Sequence, residues 1–120
     1  MASLLVHITC GPENPTKASL GFFVARAALE AGHDVRVFLA GDGVQLMRDA
    51  VLDNSRGLGT GELREHYDGI VAGGGRFYLS GGSCSARGVS EADLQGKSVE
   101  MAGPPVLVRL VMESDRTVVY

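Results

Sequence analysis

The sequence predicts an α/β fold of three layers, a mainly parallel sheet with helices on both faces. Two short apolar runs rich in β-branched residues, Leu4–Thr9 and Val35–Ala40, have the pattern of strands buried on both sides. Each is followed by a turn and then by apolar residues at helical spacing. The connections are short and marked by glycine, and strands alternating with helices over such connections imply right-handed crossovers in one parallel sheet. At 120 residues the chain is expected to form one domain, 1–120, with one continuous core.

The elements follow in order. After Leu4–Thr9 the chain turns at Cys10-Gly11-Pro12. Asn14-Pro15 then reads as an N-cap and a first helical residue. Leu20, Phe23, Val24, Ala27, Ala28 and Ala31 carry that helix to Gly32, which stops it. After Val35–Ala40, Gly41-Asp42-Gly43 turns into a helix through Val44, Met47 and Val51. Asp53–Gly61 reads as a glycine-rich loop, and Leu63, Tyr67, Ile70 and Val71 as an amphipathic helix closed by Gly73-Gly74-Gly75. Arg76–Ser80 is the next strand and Gly81–Gly88 the next loop. Ser90-Glu91-Ala92-Asp93 resembles a short helix start ending near Gly96. Val99–Met101 is a short strand, Pro104-Pro105 opens a last helix to Ser114, and Thr117–Tyr120 ends the sheet. A Rossmann-like or flavodoxin-like architecture accommodates this order.

Composition narrows the function. The formal net charge is −3 with no Lys/Arg cluster, whereas nucleic acid and anionic membrane binding need a concentrated basic field. No apolar run spans a bilayer, and Leu4–Ile8 lacks the flanks of a signal peptide, so the expected location is the cytoplasm. Two cysteines, Cys10 and Cys84, are too few for a disulfide framework, and a reducing compartment keeps them as thiols. His7, His33 and His66 lie on separate elements without paired spacing, so no metal site is expected. Gly57-Leu58-Gly59-Thr60-Gly61 follows a helix, whereas a dinucleotide fingerprint follows a strand. The last helix is apolar around most of its circumference, through Val106, Leu107, Val108, Leu110, Val111 and Met112. Two buried faces are implied, and hence a homo-oligomer.

In parallel sheets ligands bind beyond the C-terminal strand ends, where this reading places the loops 10–14, 41–43 and 81–87. Candidate binding residues are Gly11, Glu13, Asn14, Gly41, Asp42, Gly81, Gly82, Ser83 and Arg87, although capping alone accounts for Asn14. The candidate catalytic residue is Cys84. Its small neighbours leave the sulfur accessible, and the Arg87 cation would favour thiolate, as would helical N–H groups if a turn began just after it. A free cysteine is also commonly a small, inert core residue, which the Gly and Ser surroundings fit poorly. Cys10 could be a resolving thiol if its Cα lay within roughly 7 Å of that of Cys84, or a packing residue at a strand end.

The chain resembles the DsrE/DsrF-like family of small sulfur-relay proteins over nearly its whole length. The segments that carry the likeness are Gly11–Thr16 after the first strand, Val37–Asp42 after the second, and Tyr78–Gly81 leading to Cys84 with Arg87-Gly88 behind it. The resemblance implies a DsrE-type parallel α/β sheet, assembly as trimers or hexamers, and a persulfide-accepting cysteine corresponding to Cys84, with a sulfur donor or acceptor protein as partner. The Gly11-Pro12-Glu13-Asn14-Pro15 loop sets the chain apart from the best-known carriers. Sulfur transfer through Cys84 is the leading reading, and a sulfur carrier working through a cysteine would need no cofactor. A thiol redox protein with Cys10 as resolving cysteine and a non-catalytic oligomeric small-molecule-binding module are the alternatives.

Overall fold

The computed structural model describes residues Met1–Tyr120. Its elements are β1 (Ser3–Ile8), α1 (Pro15–Glu30), β2 (Asp34–Leu39), a 3-10 segment (Gly41–Met47), α2 (Asp49–Asn54), β3 (Arg56–Gly57), β4 (Gly61–Glu62), α3 (Leu63–Ala72), β5 (Arg76–Ser80), α4 (Gly81–Arg87), β6 (Val99–Ala102), α5 (Pro104–Glu113) and β7 (Arg116–Val119). Five strands form one sheet in the order β6-β5-β2-β1-β7, every pair parallel. The mainly parallel α/β sheet is thus as the sequence predicts.

Register divides the sheet into two faces. Val6, Val37 and Phe77 lie in one row and His7, Phe38 and Tyr78 in the next. The first row, with Ile8, Val35, Leu39 and Leu79, packs on Phe22 and Ala25 of α1 and on Leu63 and Ile70 of α3, forming the main core. On the other face Leu5, Phe38 and Tyr78 meet only Leu110 of α5, with Val106 and Leu107 partly covered. Leu110 is the one fully buried side chain of α5, while Val108, Val111 and Met112 stay exposed. A single chain therefore covers one side of that helix. No helix is long and apolar enough to cross a membrane.

Local chemistry explains most boundaries. The Asn14 side chain accepts from the Lys17 N–H at 3.2 Å with Pro15 just inside α1, and Gly32 follows its end at φ +90°. The helix expected through Val44 to Val51 is split, because Arg48 takes an extended conformation between the 3-10 segment and α2. The expected loop 53–61 contains the two-stranded hairpin β3–β4, which packs on α1. A methyl on Gly57 would fall on the Ser19 and Thr60 hydroxyls, so glycine there allows close packing.

Two further expectations are corrected. The predicted loop 81–88 is the helix α4, started by the Ser80 side chain accepting from the Ser83 N–H and stopped by Gly88 at φ +66°. The predicted short helix at Ser90 is instead a string of turns closed by i to i+3 hydrogen bonds, such as Asp93 N–H to Ser90 O and Lys97 N–H to Leu94 O. Gly96 at φ +79° interrupts it before an α-helix can propagate.

Candidate functional site

β1, β2 and β5 are neighbours, so the segments that follow them converge at one edge of the sheet. Close backbone contact fixes that edge. A methyl on Gly11 would lie 2.2 Å from the Asp42 carbonyl oxygen, and one on Gly43 would lie 2.4 Å from the Ile8 carbonyl oxygen. Glycine is required at both positions for packing. Gly82 is different: it is exposed, and nothing lies within 4 Å of where its methyl would be.

Polar contacts join the segments. Gly41 N–H donates to Ser83 Oγ at 2.8 Å, Arg87 Nε donates to Asp42 Oδ1 at 2.8 Å, and Arg87 Nη1 donates to the Ser83 carbonyl at 3.3 Å. Of the residues named from sequence, Gly41, Asp42, Ser83 and Arg87 thus form one connected group. Glu13 folds back so that both carboxylate oxygens accept from Gly11 N–H, at 2.8 and 3.0 Å. Asn14 is occupied as the cap of α1.

Cys84 lies in α4 with its side chain turned into the main core, only 2% exposed. The small neighbours Gly82, Ser85 and Ala86 point outward instead. The expectation of an accessible sulfur is therefore corrected, because helical geometry separates Cys84 from the open residues beside it in sequence. Burial pushes its thiol up from its ordinary pKa, against the opposing charges of Arg48 and, to a lesser extent, Arg87. Arg87 is partly neutralised by Asp42. Helix α4 begins before Cys84, so the expected N–H groups of a turn starting after it are not in place.

Arg48 was not singled out by sequence. Its Nη2 donates to the Arg87 carbonyl at 2.8 Å, and its buried Nε has no acceptor. Only the pairing of the 3-10 segment with α4 brings it to the cysteine, and no local sequence signal marks that contact.

A cleft of about 350 Å³ opens over Cys84, walled by Val89, Leu94 and Met101, with Ser90 and Glu91 at its sides. A hollow of similar size, about 360 Å³, lies by Pro12 and Ala50, and two much larger ones, of about 540 and 550 Å³, lie at the opposite end of the strands, around Arg76 and Glu100 and around Ser3 and Asp115. They touch neither cysteine. Cys10 is 8% exposed, belongs to the same core cluster as Cys84, and its thiol is pushed up by burial and then by Glu13. Both thiols are free. No group of three or more His, Cys, Asp or Glu side chains is placed to hold a metal ion.

Among solved structures the fold is shared with the ychN protein of E. coli, at 17% identity and a TM-score of 0.80 over all of both chains. MTH1491 of Methanobacterium thermoautotrophicum, a protein of unknown function, matches at 20% identity and a TM-score of 0.72, also over both chains entire. BT1422 of Bacteroides thetaiotaomicron matches at 14% identity and a TM-score of 0.68, over 99% of this chain and 95% of that one. At these identities the likeness is one of fold. No curated protein matches in sequence. The DsrE/DsrF-like family, however, matches residues 2–120, and the chain belongs to that family.

Proposed function

We propose that the protein is a persulfide carrier, with Cys84 as the sulfur-bearing residue. The observation that carries this reading is the placement of Cys84, in the helix after an inner strand, at the edge where the segments following β1, β2 and β5 converge, with Arg87 on the same helix and Arg48 bonded to its end. Membership of a family that includes sulfur-relay proteins supports it.

The Cys84 thiol loses its proton, and the thiolate attacks the outer sulfur of a donor persulfide, R–S–SH. A sulfur–sulfur bond forms at Cys84 as the donor's own breaks, and the donor leaves as a thiolate that takes up the released proton. An acceptor nucleophile then removes the outer sulfur and restores Cys84. No net oxidation occurs, and no metal or organic cofactor is needed. Arg48 and Arg87 favour the anionic sulfur at both stages. The setting is a reducing cytoplasm, and the working form is a homo-oligomer joined through the exposed apolar side of α5.

The test is incubation of wild type and Cys84→Ser with a cysteine desulfurase and cysteine, without reductant, followed by intact mass. The expected result is a gain of about 32 Da, one sulfur, in wild type alone and reversed by reductant. An unmodified wild-type mass overturns the proposal.

A further inference from the structure

Cys84 borders the cleft but is only 2% exposed, whereas sulfur transfer needs its sulfur to meet that of another molecule. The covering segment is 88–98, which joins α4 to β6 without regular secondary structure. A glycine in the left-handed region stands near each end, Gly88 at φ +66° and Gly96 at φ +79°. A methyl on either would meet nothing within 4 Å, so glycine serves the backbone conformation there, not a lack of room. Between them Val89 and Leu94 pack on the core that contains Cys84.

One tie fastens the far end. The Lys97 side chain is only 5% exposed, and its Nζ pairs with Asp49 Oδ1 at 2.9 Å and donates to the Asp93 carbonyl at 3.0 Å. Asp49 belongs to α2, so this ion pair crosses from the segment to the body of the domain. Asp93 in turn holds the near end of the segment by accepting from Ser90 N–H at 2.9 Å. Lys97 is covered while Asp49 is largely exposed, so removing Asp49 leaves a covered ammonium without its ion-pair partner and loosens the far end of the segment.

We infer that residues 88–98 are a strap that pivots at Gly88 and is latched at its far end by Lys97 on Asp49, and that must lift before Cys84 can react. This deepens the persulfide reading, since it regulates access to the same sulfur, but it is tested without any sulfur donor. A segment held by few contacts opens locally without unfolding the sheet beneath it.

The experiment is timed alkylation of wild type, Asp49→Asn and Lys97→Met with iodoacetamide, with Cys84 and Cys10 quantified separately by peptide mass. Both variants are expected to alkylate Cys84 faster, on the order of tenfold, with Cys10 unchanged. Arg64→Gln, which removes the other partner of Asp49 and leaves the strap alone, is expected to behave as wild type. Equal acceleration at both cysteines would mean global loosening, and no acceleration would mean no latch; either overturns the inference. Should Lys97→Met fail to fold, hydrogen exchange of the wild type decides: amides of 88–98 are expected to exchange well before those of β5, and equal protection overturns it. If the strap responds but no persulfide forms, the gate stands and the carrier reading falls; if a persulfide forms with no latch effect, the reverse holds.

Discussion

Cys84 and Arg48 define the chemistry at the level of single residues. The thiol's pKa is raised by burial, so its reactivity should keep climbing with pH past the ordinary thiol value. Arg48 opposes that shift more than Arg87 does. Arg48→Gln is therefore expected to move the thiolate titration of Cys84 to still higher pH, and Arg87→Gln to move it less. Thiolate absorbance against pH, with Cys84→Ser subtracted, measures both, and equal shifts would contradict the ranking. Cys84 was legible as a candidate because it stands alone in a Gly/Ser stretch after a strand. Its burial was not legible, because the small residues beside it in sequence are ones that a helix sends to the opposite side. Arg48 was invisible for a related reason: it meets α4 only after two separate elements pack.

Elements divide according to where their information resides. α1 carries its signals within itself, with the Asn14 cap, Pro15 and Gly32, and it forms where the sequence places it. α4 is poor in helix-favouring residues at its start and depends on the Ser80 cap, on Gly88 and on the Gly41 and Asp42 contacts, so sequence alone reads as a loop. The strap shows the converse, since Ser90 and Asp93 look like a helix start but close only successive tight turns. α5 was legible as apolar around most of its circumference, and the fold covers just one side of it. If the rest forms an interface, wild type should elute with a mass of several subunits by light scattering, and Val108→Glu with Met112→Lys should shift it toward monomer. A monomeric wild type would remove oligomerisation from the proposed function.

For the molecule as a whole, three carboxylates titrate below their ordinary range. Asp49 is held down by its hydrogen bonds to Lys97 and Arg64, Asp93 by the Ser90 backbone N–H, and Asp115 by the Ser3 backbone N–H. A depressed folded-state pKa contributes stability above the unfolded value, about 3.9 for Asp, which is lost as pH falls through the folded value. Stability to heat should thus begin to fall as pH drops below about 6.5, where the unfolded chain protonates His7 and burial resists that charge in the fold, and should decline further below about 4 as the carboxylates titrate. Asp49→Asn should flatten part of that decline, and scanning calorimetry across the acid range would show it. The parallel sheet was legible from two apolar runs and the alternation around them, since each strand's burial is written in its own residues. Strand order was not, because it depends on the crossover from β6 to β7, which carries the last strand past three others.

Glu13 gives the sheet edge a character of its own. In many parallel α/β proteins the amides after the first strand receive a phosphate. Here the chain supplies the guest: a carboxylate from two residues onward already occupies the Gly11 N–H with both oxygens. An incoming polyphosphate would have to displace a tethered competitor of its own charge from that amide. The first amide of that edge is thereby engaged by the chain itself, a negative charge standing where such proteins seat one from outside.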